Sequence, residues 1–161
     1  MSFRFRFDED RTIQAVAALL RHRGGCENYT WLIKVLYFAE RECLKETGQP
    51  LTGARVIAME NGTVLEDIYR LIRKPELSGN WSAHFAKVNT YDLRMVCDPG
   101  DGRMTDYQME KIAEVAERFK DCDWKEMVRR THLELEEWKR NDPGESSQPP
   151  LSAGVRPARR D

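Results

Sequence analysis

The chain has 161 residues, a formal net charge of −1, 40% hydrophobic residues and 33% charged residues, enough for one domain with a buried core but with no overall field to attract nucleic acid or an anionic membrane. Its four cysteines form no CxxC pair, which excludes zinc-ribbon and thioredoxin-type chemistry. No apolar run approaches the ~18 residues of a membrane span, and MSFRFRFDED lacks the apolar segment of a signal peptide, so a cytoplasmic protein with reduced thiols is expected.

Phe3 to Phe7 alternates phenylalanine and arginine, the period of a short half-buried strand. Asp8, Glu9 and Asp10 then suit the positive end of a helix that carries Ile13, Val16, Ala17 and Leu20 on one face and stops at Gly24-Gly25. Asn28 is placed to cap a helix over 29–46, whose apolar face of Leu32, Val35, Leu36, Ala39 and Cys43 makes it the central one. Gly48 stops it. Residues 49–61 read as a loop in which Val56 to Met59 runs extended, and Thr63 as the start of a helix over 64–73.

Past Pro75 the helical period is lost, and 76–83 reads as a loop holding Trp81. Phe85 to Val88 and Tyr91 to Cys97 read as paired strands turning at Asn89-Thr90. After the turn cluster Asp98 to Gly102, Thr105 is placed to cap a helix over 106–120, and Asp123 a shorter one over 124–132, with 133–139 continuing as a helical turn that buries Trp138. The fold class is therefore α+β and mostly α: about five helices with a small antiparallel β element. A domain over 1–140 is expected, followed by a flexible Pro/Arg-rich tail over 141–161, too poor in large apolar residues to offset its ordering entropy.

No pattern in the chain completes a catalytic or metal site. DPGDGRMTD (98–106) lacks the closing glutamate and the spacing of a calcium loop. His22, His84 and His132 lie in separate segments without HExxH spacing, and His132 reads as a cap near a helix C-terminus. Cys43 and Cys97 read as small core hydrophobes. Neither a P-loop nor GxGxxG is present. No cofactor and no metal is expected. The phenylalanines at 3, 5 and 7 with Arg4, Arg6, Arg11, Arg21 and Arg23 outline a weak aromatic and basic patch of a kind that binds single strands, diluted by three acids.

One stretch carries more. KVLYFAERECLKETGQPLTGARVIAMENGTVLEDIYRLI (34–72) resembles the centre of the Panacea domain, the SocA-like antitoxin family. The resemblance rests on Lys34, Leu36, Tyr37, Phe38, Ala39, Glu40 and Arg41 in a helix. It continues through Gly48, Pro50, Thr52 and Gly53 in a loop, then Met59, Gly62, Val64 and Tyr69. Phe7-Asp8-Glu9 resembles the family's opening, Asp98 to Asp101 its turn, and Thr131-His132 with Trp138 its closing motif, so that residues 3–147 are covered. Thr63 stands where the family usually has proline, and Ser146-Ser147 leads into the Pro/Arg-rich tail rather than a short apolar helix.

The resemblance implies a bacterial antitoxin, often prophage-encoded beside its toxin, which neutralises a cognate toxin protein by direct contact. In some members the toxin is delivered to a protease. On this reading the chain is not an enzyme, meets no membrane and has no use for nucleic acid. Candidate partner contacts are Trp81, Glu60, Asn61, Tyr37, Glu40, Arg41 and His132. Gly48, Pro50, Thr52, Gly53, Met59, Gly62, Val64, Tyr69, Thr131 and Trp138 are expected to hold the fold. Two other readings remain open: a nucleic-acid-binding regulator using the N-terminal patch, and a hydrolase built on Tyr37, Glu40, Arg41 and His132.

Overall fold

The computed structural model describes residues 5–59 and 62–141, with side chains as far as Glu134. The first helix, α1 (Glu9–Arg21), is capped by Asp8, whose side chain accepts the Arg11 N–H at 3.0 Å. It is buried continuously from Thr12 to Leu20 because α2, α4, α5 and the sheet surround it. Strand β1 (Cys26–Asn28) leads into α2 (Tyr29–Thr47), where the Asn28 side chain accepts the N–H groups of Thr30 and Trp31. Gly48 ends α2 in the left-handed region at φ 74°. The helix packs against α1, α3, α5, α6 and the hairpin that follows it, so it is the central element that its apolar face requires.

That hairpin is β2 (Val56–Met59) with β3 (Gly62–Leu65), antiparallel, with Ile57 opposite Val64 and Met59 opposite Gly62. Thr63 thus lies in a strand, and α3 (Glu66–Arg73) starts later, at a Leu65 that offers no side-chain cap. The ladder between Val56 and Leu65 takes precedence over the helical spacing of Val64 and Ile68. A single 3-10 turn (Pro75–Leu77) and the short α4 (Gly79–His84) occupy the stretch expected to be a loop. Ser78 caps α4 by accepting the Trp81 N–H. Trp81 is 1% exposed and its ring lies 4.6 Å from that of Phe85.

Strands β4 (Phe85–Lys87) and β5 (Asp92–Met95) pair as expected, and β1 adds to the far side of β5 to give the order β1-β5-β4. The segment over residues 5–7 joins neither sheet; it crosses the loop after α2, where Asp8 N–H donates to Thr52 O at 2.8 Å. Helix α5 (Asp106–Arg118) opens with a reciprocal capping box between Thr105 and Gln108. It is tied to α2 through Lys111, whose ammonium sits among Glu42, Glu46 and Glu114. Helix α6 (Trp124–Asn141) runs through 132 and the turn expected after it as one helix, so His132 is mid-helix and is not a C-terminal cap. Cys97 is exposed, in contrast to buried Cys43, because it falls past the end of β5. Of the tail expected over 141–161, Asn141 is the last residue of α6; residues 142–161, Phe3, Arg4, Glu60, Asn61 and the Trp138 side chain lie outside the described residues.

Candidate functional site

Three polar residues of α2, Lys34, Tyr37 and Arg41, recur at i, i+3 and i+7 and so share one face. That face meets β3 and α6. The Lys34 ammonium donates to the Thr63 carbonyl at 2.6 Å. Tyr37 is fully buried beside Thr63; burial pushes its phenol well above the ordinary range. Arg41 forms an ion pair with Glu134. Gly62 lets the hairpin press onto this seam, since a Cβ there would come within 2.8 Å of Thr131 Oγ1 and 3.7 Å of His132 Cδ2. The Thr131-His132 pair of α6 is therefore a packing surface for the hairpin.

Burial holds the Lys34 amine down at about 8, against an ordinary 10.5. Its folded pKa lies below its unfolded one, so between about pH 8 and 10.5 the unfolded chain binds the extra proton and stability rises with pH. The expected gain is at most roughly 3 kcal/mol across that window. Urea midpoints of the wild type and Lys34→Met, measured from pH 7 to 10.5, should diverge in that range. Parallel profiles would show that the ammonium is stabilised in place.

Glu40, one turn on from Tyr37, reaches from α2 into the loop after it. Its carboxylate is 1% exposed and accepts N–H groups from Leu51, from Thr52 at 2.9 Å and from Gly53 at 3.2 Å, together with the Thr52 hydroxyl. Thr52 Oγ1 in turn accepts the Ala54 N–H at 3.0 Å, a double role that needs a hydroxyl. Burial raises the Glu40 pKa against the pull of these donors. The Pro50 and Leu51 carbonyls accept from the Arg11 guanidinium, which ties α1 to the same corner.

At the N-terminal end of α2 lies an open cleft of about 630 Å³. Tyr29 and Lys34 of α2, Met59 of β2, Tyr69 of α3, Tyr91 of the β4–β5 turn and Trp124 of α6 line it, with smaller apolar side chains and the polar Asn28 and Thr30 between them. Tyr91 and Trp124 are 62% and 42% exposed. The rings of Tyr29 and Tyr69 stand 6.3 Å apart. Three cations lie over these rings: Arg73 over Tyr69, Lys87 over Tyr29 and Lys125 over Trp124.

The candidate contact residues do not assemble at this cleft. Trp81, Tyr37 and Glu40 are buried, so none of their side chains offers a surface to a partner. Arg41 is paired with Glu134, and His132 lies against the hairpin. Tyr37, Glu40, Arg41 and His132 do not line the cleft, and the Glu40 carboxylate is taken up by the 51–53 backbone and the Thr52 hydroxyl, so the hydrolase set shares no open site there. In the N-terminal basic patch, Arg11 holds the 50–51 carbonyls, Arg21 is paired with Asp98, and Arg23 is held by Glu27 and the Lys120 carbonyl. Met59, Val64 and Tyr69, read as fold residues, do line the cleft. Tyr29, Tyr91 and Trp124 are the functional candidates that the sequence reading missed. Their one local signal is an aromatic at a helix start or a turn. Among the described residues no group of three His, Cys, Asp or Glu could hold a metal, and no helix is long and apolar enough to cross a membrane.

The molecule is thus a mostly helical domain with a motif-built corner on one half of its central helix and an aromatic cleft on the other. Residues 32–139 match the family model described as "Antitoxin SocA-like, Panacea domain", and the chain belongs to that family. Helix α1 precedes the matched span yet shares its core. Among curated proteins and solved structures none matches the chain.

Proposed function

We propose that the chain is an antitoxin that neutralises a cognate toxin protein by binding it directly in the bacterial cytoplasm. The observation that carries this reading is the open cleft with two exposed aromatics at its mouth, in a member of an antitoxin family. Single exposed apolar residues are ordinary. Aromatics gathered around one concavity are the composition of a binding hot spot. On this reading the chain works by occupancy: Tyr37, Glu40 and Arg41 serve the fold.

Co-expression with the product of the neighbouring gene tests the proposal. Growth should be restored and the two proteins should co-purify; neither rescue nor complex would overturn it. Following the toxin's half-life in the rescued cells separates sequestration, with unchanged half-life, from delivery to a protease, with shortened half-life.

A further inference from the structure

The electrostatics of the cleft select one kind of occupant. Among the described residues its wall contains a lysine, Lys34, and no carboxylate. Arg73, Lys87 and Lys125, all exposed, flank its rings. Among the described residues, three acids close in sequence to its lining are already engaged. Asp92 accepts from the Asn89 amide, Asp123 caps α6, and Glu126 is held by Arg129 and Arg130. Two long helices also begin there: α2 presents Tyr29 in its first turn and α6 presents Trp124, so the positive ends of both dipoles face the same space. Each contribution is modest alone. Together they put positive potential on an apolar, aromatic floor.

We infer that this cleft receives an acidic segment of the partner protein, which seats one aromatic or large apolar side chain among Tyr29, Tyr69, Tyr91 and Trp124 and lays its carboxylates on Arg73, Lys87 and Lys125. The inference rests on the reading of the chain as a protein-binding antitoxin and adds the chemistry of what it binds. A nucleic acid strand also stacks on aromatics, but it requires a run of cations along its phosphates. Here the chain carries a net charge of −1, and the exposed cations Arg73, Lys87 and Lys125 stand over three separate rings instead of forming a run. Arginine and lysine over aromatic rings are also well placed to turn from the ring to an arriving carboxylate without losing contact with the surface.

Two arms test this. In the first, three fluorescein-labelled peptides are titrated against the full chain: Asp-Glu-Asp-Trp-Asp-Glu-Asp, its Lys/Arg counterpart around the same tryptophan, and the acidic peptide with alanine in place of tryptophan. The acidic tryptophan peptide should bind about tenfold or more tighter than the other two. Tyr91→Ala and Trp124→Ala, both at exposed positions, should each weaken it by about tenfold, and the triple variant Arg73→Glu/Lys87→Glu/Lys125→Glu should reverse the preference toward the basic peptide. Equal binding of the three peptides, or binding indifferent to these variants, overturns the inference. So does tighter binding of a 15-nucleotide oligothymidine, or a concentration-dependent dimer that Trp124→Ala abolishes.

In the second arm the triple variant is co-expressed with the neighbouring gene product. It should fail to restore growth where the wild type succeeds. Rescue by both proteins removes the cleft assignment and leaves the antitoxin reading standing. Rescue by neither, with the acidic peptide still bound, removes the antitoxin reading and leaves the cleft assignment.

Discussion

Glu40→Ala is expected to destabilise the protein by about 4 kcal/mol, read as a fall in the urea midpoint at neutral pH. The wild-type carboxylate is the acceptor for three backbone N–H groups and one hydroxyl in a site closed to water. Truncation to a methyl group leaves all four donors without it. A buried orphan costs about 1–3 kcal/mol, and the four costs do not add in full because the Thr52 hydroxyl can rotate and the loop can shift. Against a total stability of roughly 5–15 kcal/mol this is a large fraction. Glu40→Gln keeps the shape and one accepting oxygen but turns an NH₂ toward N–H donors, so about 2 kcal/mol is expected. A loss below about 1 kcal/mol for the alanine variant would mean that the corner is held by the Leu51 side chain and the Arg11 bonds rather than by Glu40.

The consequence reaches beyond the corner. Leu51 is fully buried, and Pro50, Leu51 and Thr52 carry the bonds that fix Arg11 and the chain at Asp8. Loss of the Glu40 anchor therefore loosens α1 as well as the loop. The cleft stands on the other half of α2, and its lining shares no hydrogen bond with Glu40. A Glu40 variant that still folds should thus keep its binding and lose its stability, which separates the role of the corner from that of the cleft.

Much of the fold was legible because its signals are local. Asn28, Gly48 and Thr105 act on the backbone within a few residues, and the apolar stripes of α1, α2 and α5 repeat with the helical period. The hairpin was half legible. Val56 to Met59 was extended as its residues suggest, but Val64 and Leu65 continue in register with Ile68, Leu71 and Ile72, so the strand β3 was absorbed into the following helix. Asn61-Gly62 beside an apolar run was the hairpin signal to weigh against that stripe.

The failures came from tertiary placement. Phe3 to Phe7 has the alternation of a strand, yet the described part of it, from Phe5, takes its place from the corner loop and pairs with no strand. Trp81 sits among Gly79, Asn80 and Ser82, residues of a loop, and is buried because α1 and β4 close over a six-residue helix. The seam of Lys34, Tyr37 and Arg41 could be read from its spacing. The cleft could not, since its rings come from α2, α3, α6 and a turn that are remote in sequence.

Gly53 allows the sharpest separation of two causes that sequence alone confounds. Gly48 and Gly53 share the same positive φ of 74°. At Gly48 an added Cβ meets nothing within 4 Å, so Gly48→Ala should cost about 1 kcal/mol, the penalty for a side chain in the left-handed region. At Gly53 the same Cβ would lie 2.1 Å from the Arg6 carbonyl oxygen and 2.8 Å from its carbon, backbone atoms that no rotamer change removes. To the conformational penalty is added the displacement of the strap over residues 6–7, and Gly53→Ala should cost about 3–4 kcal/mol. The difference between the two variants measures the contact itself. Deleting residues 1–7 while keeping Asp8, the cap of α1, removes the obstructing carbonyl, so in the shortened chain the two alanine variants should lose about the same stability. If the gap between them survives the deletion, the strap is not what makes glycine necessary at 53, and the close approach of the chain to this corner is not the reason the loop turns there.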